Sequence, residues 1–418
     1  MSDERNLIRA GLLSVAAAAV LCAQGTPTLT TLYSFKGGDH DGMNPYAAVT
    51  VAKGGVLYGT TNKGGKDNDG VVYSLKPPAS PGEPWREKVL FQFQGTDGAF
   101  PEGSLVIGAN GVLYGTTEGQ VPYGGRAFDS VAFSLTPPAA SGDPWAETVL
   151  YNFDCCGPDG LVFGPGGALY GAQALAKSTS GTVFSLAPPA STGSPWTENV
   201  LYSAPNRRGG NPPTGPVVIG NDGVLFFSMY GVYSLTPPAS PGGAWTEAAL
   251  GGEGNTSGVV IGAGGVLYGA TTNGGTGTTC NGGQNGCGTV FALTPPASPG
   301  GAWTQTVLHN FTGENDGSNP NGLLIGPGDV LYGTTQLGGT FNSGTIYSLT
   351  PPATPGGEWT ETVLYSFTGG ADGAEPVAGL VFGPGGVLYG TTAGGGISNN
   401  GTVFAFQPQR PLAQSCSL

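Results

Sequence analysis

Short runs of β-branched and aromatic residues alternate along this chain with clusters of Gly, Pro, Asn and Asp. Such runs, bounded by turn formers, read as strands and their connections. The plainest run returns as Leu57-Tyr58-Gly59, Leu113-Tyr114-Gly115, Leu169-Tyr170-Gly171, Leu225-Phe226-Phe227, Leu267-Tyr268-Gly269, Leu331-Tyr332-Gly333 and Leu388-Tyr389-Gly390. Successive copies lie 56, 56, 56, 42, 64 and 57 residues apart, periods that mark blades or solenoid turns. The sixth period resolves into four strands, 323–326, 330–335, 345–349 and 359–367, separated by Gly328-Asp329, a Gly/Asn-rich loop and the Pro-rich turn 351–357. Four strands per period predict the blade of a propeller, and no segment has the periodicity of a sizeable helix.

The two ends extend the pattern. The last repeat stops after a third strand near 402–406, while 29–35, Leu-Thr-Thr-Leu-Tyr-Ser-Phe, matches the missing fourth strand. The expected fold is therefore all-β: a seven-bladed β-propeller over residues 26–408, four strands per blade, closed by the N-terminal strand completing the last blade. Pairing of these segments hides two sheet edges. The fourth blade departs from the others. Ser228-Met229-Tyr230-Gly231 replaces its long loop, and the next incoming loop, 251–257, lacks an Asp-Gly pair. A low wall is expected there.

Composition adds a compartment. Arg5 and Arg9 precede an apolar run over 10–23, so residues 1–25 read as a signal peptide and the product as secreted or cell-surface. Cys22 raises lipidation as an alternative to simple cleavage, although Leu21 before it is larger than lipoprotein processing prefers. Residues 409–418, with Cys416, form a short tail. Cys280 and Cys287 bracket a Gly/Asn-rich loop and are expected to form a disulfide, while Cys155 and Cys156 are adjacent. The net charge of −13, with only 14 Lys and Arg, leaves no basic track for nucleic acid. No later segment is long and apolar enough to span a membrane as a helix, and a monomer is expected.

Propeller topology places the loops after each fourth strand on one face with the loops between second and third strands. The incoming loops carry Asp41-Gly42, Asp97-Gly98, Asp159-Gly160, Asp316-Gly317 and Asp372-Gly373. An Asp that caps its own turn is the structural reading, and a ring of carboxylates at a channel mouth the functional one. In the first repeat, Asp39, His40 and Asp41 fall on the same face as the run Asp67-Asn68-Asp69-Gly70. Asp39, Asp41, Asp67 and Asp69 are thus a candidate Ca²⁺ site, in which a hard cation would relieve carboxylate repulsion. Lys63 and Lys66 offer the competing explanation of solvated, neutralised turns. The six Trp recur at fixed outer-strand positions, which argues for packing between blades. No Gly-x-Ser-x-Gly, phosphate loop or His-Glu-x-x-His is present, and the only histidines are His40 and His309.

The phrase Gly-Val-Leu-Tyr-Gly-Thr-Thr, followed by Gly-Gly, Gly-Thr-Val-Phe-Ser-Leu and Val-Leu-Tyr-Ser-Phe, resembles the GloVer (Gloeo-Verruco) tandem repeat over nearly the whole chain. The resemblance implies exported bacterial proteins, often with a C-terminal surface anchor, and supplies no catalytic residues. The ending Gln414-Ser415-Cys416-Ser417-Leu418 departs from that anchor pattern. The expected function is a scaffold or binding module for a polysaccharide or an extracellular protein. The competing class is a glycan hydrolase or lyase using carboxylates of the same face.

Overall fold

The structure, a computed structural model, describes residues 27–408 apart from 81, 120–129, 141, 154–155, 175–180, 192–193, 206–212, 241, 279, 281–285, 299 and 355. The signal peptide with Cys22, Cys155 and the tail 409–418 with Cys416 lie outside the described residues. Those residues are all-β, broken only by tight 3-10 turns, and contain no helix long and apolar enough to cross a membrane.

The first repeat is a four-stranded antiparallel sheet in the order Thr50–Val51, Leu57–Thr61, Val71–Lys76 and Arg86–Gln92. The second and third repeats follow the same plan. In the last repeat the outer strand comes from the other end of the chain. Thr28–Ser34 lies antiparallel to Thr402–Gln407, from Thr28 opposite Gln407 to Ser34 opposite Thr402.

The fourth and fifth repeats differ from the expected separate blades, because they share one six-stranded sheet. Leu225–Thr236 runs without a break through the position of the missing loop, and Tyr230 pairs with Asn255. Thr246–Ile261 likewise continues through the expected loop at 251–257 and pairs onward with Leu267–Thr271. Without an Asp-Gly turn the chain stays extended, and Gly251, Gly252 and Gly254, at φ of 125°, 76° and 129°, let it bend between sheets. The two segments expected to be short loops are hydrogen-bonded strand.

A blade is too thin to bury its own side chains, so the apolar core lies between repeats. One cluster joins Phe35, Val49, Leu57, Tyr73 and Leu75 to Tyr389 and Val403, linking the first repeat to the last. Another joins Ile346 and Phe367 of the sixth repeat to Leu380, Leu388, Phe404 and Phe406 of the seventh. Threonines of the second strands tie several repeats to the next. Thr60 Oγ1 donates to Gly103 O (3.4 Å), Thr334 Oγ1 to Ala378 O (2.9 Å) and Thr391 Oγ1 to Ala47 O (2.9 Å). The tryptophans pack edge-on across the same seams: Trp85 on Tyr389, Trp145 on Tyr58 and Trp359 on Tyr268, with centroids 6.1, 6.0 and 5.9 Å apart. Cys280 and Cys287 are joined as a disulfide and packed with Phe311 in the cluster between repeats five and six.

Each outer strand carries a bulge at one leucine. Val72 pairs with Phe91 and Tyr73 with Val89, skipping Leu90, and the same slip skips Leu32, Leu150 and Leu364. The outer strands also carry Glu87, Glu147 and Glu361, whose Oε1 atoms are buried with no hydrogen-bond partner among the described residues. Burial pushes each carboxyl up to about 7, aided by the charge of Asp41 beside Glu87 and Asp97 beside Glu147. For Glu361, burial is opposed by His309 and reinforced by Asp316.

These raised values set the sign of the pH response. A carboxyl that folding holds above its unfolded value destabilises the fold when it ionises, so that cost is absent below about 4.5 and complete above about 7. The melting temperature should fall as pH rises through this window, with a contribution of about 1 kcal/mol per group after allowance for partial solvent exposure. Combined Glu87→Gln, Glu147→Gln and Glu361→Gln should flatten the profile. Calorimetry from pH 4.5 to 8 checks this, and an unchanged slope in the triple variant would count against it.

Candidate functional site

The loops expected on one face do meet there. Gly42–Met43 pairs with Lys63–Gly64, and Gly65 N donates to Gly38 O (3.1 Å) and Asp41 O (3.0 Å). Within this arrangement the four proposed calcium ligands go separate ways. Asp39 and Asp67 are exposed, whereas Asp41 and Asp69 are buried. The Asp41 carboxylate already accepts three hydrogen bonds, from Tyr33 Oη (2.8 Å), Lys36 N (2.7 Å) and Gly42 N (2.7 Å). Among the described residues no three His, Cys, Asp or Glu side chains are gathered as a metal site would require.

The run Asp67-Asn68-Asp69-Gly70 has a structural explanation. Asn68, at φ 61°, accepts from Gly64 N (3.1 Å) and closes the loop. Asn342 and Asn399 close equivalent loops on Gly338 N and Gly395 N, both at 3.0 Å, with no acid on either side. The loop therefore needs the asparagine and not its flanking carboxylates.

Most of the Asp-Gly pairs cap turns in the same way. Asp372 accepts from Tyr365 Oη (2.9 Å) and Thr368 N (2.8 Å), Asp316 from Thr312 N (2.9 Å), and Asp97 from Gln94 N (2.7 Å). Asp159 is the exception. In the third repeat Pro158 precedes the Asp-Gly pair instead of following it. The dipeptide is carried past the turn, and the Asp159 carboxylate accepts from Gly215 N (2.7 Å).

A proline after the Asp-Gly pair recurs in the incoming loops of four other repeats. Asn44, Phe100, Asn319 and Glu375 each precede a proline and stand at φ of 55° to 59°. This left-handed backbone is costly for a residue with a side chain, and it recurs here at matching places. Each is pinned by its N–H to the preceding repeat, as Phe100 N to Asp69 O (2.8 Å) and Glu375 N to Ser343 O (3.0 Å). The proline ring then packs where only glycine fits, since a Cβ on Gly344 would lie 2.5 Å from Pro376 Cδ. Tyr46, Glu102 and Val377, which follow three of these prolines, line a cavity of about 480 Å³ together with Asp159, which follows Pro158.

The cavity is acidic but not fully ionised. Burial, reinforced by Glu118 and Asp159, pushes the Glu102 carboxyl up to about 8. Its Oε1 accepts from Asn62 Nδ2 (2.8 Å). Burial also raises Asp159, against the hydrogen bond from Gly215. Tyr46 is 38% exposed, and its hydroxyl is raised by burial and by the charges of Glu102 and Glu375. At neutral pH Glu102 can donate a hydrogen bond, Asp159 can accept one, and Tyr46 offers an aromatic face. Sequence reasoning singled out Asp159 only as one Asp-Gly among five and passed over Glu102. The available signal was the residue immediately after each incoming-loop proline.

Asp41→Asn removes a carboxylate that three donors address and should cost about 1–3 kcal/mol. The loss should be equal in excess Ca²⁺ and in chelator, measured by urea unfolding. Calcium-dependent stability that vanishes in this variant would restore the metal reading.

The geometry can be set beside known proteins. The extracellular domain assigned to a one-component system of B. thetaiotaomicron matches with a TM-score of 0.53 at 11% identity, over 93% of this chain and 43% of that one. The soluble aldose sugar dehydrogenase of Escherichia coli matches with a TM-score of 0.45 at 13% identity, over 92% of this chain and 100% of that one. The repeated antiparallel sheets of this chain, four-stranded in most repeats, are β-propeller-like. No curated protein matches the sequence closely enough to count as a relative. A family model, the Gloeobacter/Verrucomicrobia repeat, matches residues 20–160 and 232–415, leaving out most of the divergent third and fourth repeats. The protein belongs to the Gloeobacter/Verrucomicrobia repeat family.

Proposed function

We propose that this protein is an exported, monomeric, seven-bladed β-propeller, closed by its N-terminal strand, that binds a neutral polyhydroxylated ligand such as a polysaccharide at its channel mouth. The apolar leader and the buried disulfide support export. The pairing of Thr28–Ser34 with Thr402–Gln407 and the packing of the first repeat on the last support a closed ring of seven. The observation that carries the binding function is Glu102, a half-buried carboxyl pushed up to about 8 in a cavity it shares with Asp159 and Tyr46. A donor, an acceptor and an aromatic face in one concave site suit a neutral polar ligand.

Hydrolysis by the pair Glu102 and Glu118 fits less well. Their carboxyl groups are within hydrogen-bond reach. The two carboxyls of a retaining glycosidase stand roughly 5 Å apart, and those of an inverting one further.

Affinity for a ligand found on a glycan array should fall as pH rises from about 6.5 to 9 and Glu102 loses its proton. Glu102→Gln, which keeps a donor at every pH, should bind across the whole range, whereas Glu102→Ala should lose about tenfold or more. Titration calorimetry at several pH values reads the difference. Wild-type affinity independent of pH, or full affinity in Glu102→Ala, would reject the site.

A further inference from the structure

An outer strand is tied to the loop that follows it in two ways. Tyr33 Oη donates to Asp41 (2.8 Å) and Tyr365 Oη to Asp372 (2.9 Å). In the fifth repeat the tyrosine position is taken by His309, and the aspartate of the following loop is Asp316. His309 packs edge-on against Phe311, with ring centroids 4.7 Å apart, and its buried Nε2 lies 3.5 Å from Asp316 Oδ2. Burial and the facing aspartate push the Tyr33 and Tyr365 hydroxyls up, so those ties keep their proton at every ordinary pH. Imidazoles change charge between about pH 5 and 8. The seam between the fifth and sixth repeats therefore rests on a partner that titrates.

The groups around His309 set the direction of the effect. Its own strand, Thr304–Asn310, and the strand it pairs with, Thr289–Thr294, carry no other ionisable residue. The loop 312–317 brings Asp316 and the exposed Glu314. The sixth repeat brings Glu361 on its outer strand, Glu358 in the turn before it and Tyr347 on its third strand. Tyr268 and Glu358 line a groove with His309, and no Lys or Arg lines it. Burial would raise Asp316, but His309 and the two donors of Thr312 hold it below the usual carboxylate range, so it stays ionised. In acid an imidazolium faces this carboxylate, while Glu361, pushed up to about 7 by burial, is uncharged. In alkali the imidazole is neutral, and Asp316 and Glu361 are both charged. The attraction is present below the imidazole range and lost above it, and the cost of ionising Glu361 arrives in the same window. An uncharged donor at 3.5 Å replaces little of what is lost.

We propose that this seam is a pH-sensitive catch, in which His309 holds the loop 312–317 to its outer strand in acid and releases it in alkali. The loop leads into the face that carries the cavity. Asn319 N donates to Cys287 O (3.0 Å), and Asn321 Nδ2 donates to Pro376 O (2.6 Å), next to Val377.

Hydrogen exchange of the full chain, read by mass spectrometry and corrected for intrinsic rates, tests the catch. Segment 304–319 should lose about tenfold or more in protection between pH 5.5 and 8.5. Segment 365–376 is the reference, because its tie is Tyr365 to Asp372 and Leu29 stands in the last sheet where Glu361 stands in the sixth repeat. Its protection should stay constant. His309→Tyr installs the tyrosine tie of other repeats and should abolish the change, and Glu361→Gln should roughly halve it. Imidazole NMR of the unaltered protein reads the same transition, with the exposed His40 as internal control. The His309 signals should titrate in step with the loss of protection. The catch is overturned if segment 304–319 keeps its protection at every pH, if His309→Tyr loses protection as the wild type does, or if the His309 imidazole does not titrate between pH 5 and 9.

Discussion

The seam between neighbouring repeats is the constraint from which the rest of this structure follows. No repeat can bury both faces of its sheet alone, so each depends on the next for its apolar core. Leu57, Tyr73 and Leu75 are sealed by Phe35, Tyr389 and Val403, which come from the last repeat. The Leu-Tyr-Gly phrase follows from this need. Its leucine is buried at the seam, its tyrosine meets the tryptophan of the neighbouring repeat, and its glycine leaves room for the large ring of the third strand. A Cβ on Gly59 would lie 2.4 Å from the Tyr73 hydroxyl.

Function occupies what the seams leave over. The loops of one face are held by strained residues before prolines, and that strain fixes which side chain reaches the cavity of Tyr46 and Glu102. The same seams explain why so many carboxylates on this face are structural. Asp41 and Asp372 each bind a tyrosine hydroxyl of the preceding outer strand, so their charge is spent on joining strand to loop. Glu102 and Asp159, set beyond the prolines, bind no tyrosine and reach other repeats instead, Glu102 accepting from Asn62 and Asp159 from Gly215.

The strands, their order, the docking of 29–35 in the last repeat and the Cys280–Cys287 bridge were legible because each rests on local pattern: alternation, turn residues and spacing. What was not legible depended on register between repeats. The acidic run around Asn68 looked like a cation loop until Asn342 and Asn399 were seen to close the same loop without acids. The stretch 251–257 looked like a loop because glycines usually punctuate strands, yet here they bend one continuous strand between sheets. Glu102 gave no signal by residue type, since its raised carboxyl arises from the approach of Glu118 and Asp159, residues 16 and 57 positions away.

The meeting of the two chain ends in one sheet also bears on how the molecule assembles. Ile397 N donates to Ser34 Oγ across 363 residues of sequence, at a hydrogen-bond distance of 2.8 Å. A polypeptide made from its N-terminus leaves that first strand without its partner until nearly everything else has been synthesised. The final step is a long loop closure, whose entropic cost grows only with the logarithm of length but whose search is slow. The last sheet joins Thr28–Ser34 to Thr402–Gln407, so losing either strand leaves the other without its partner.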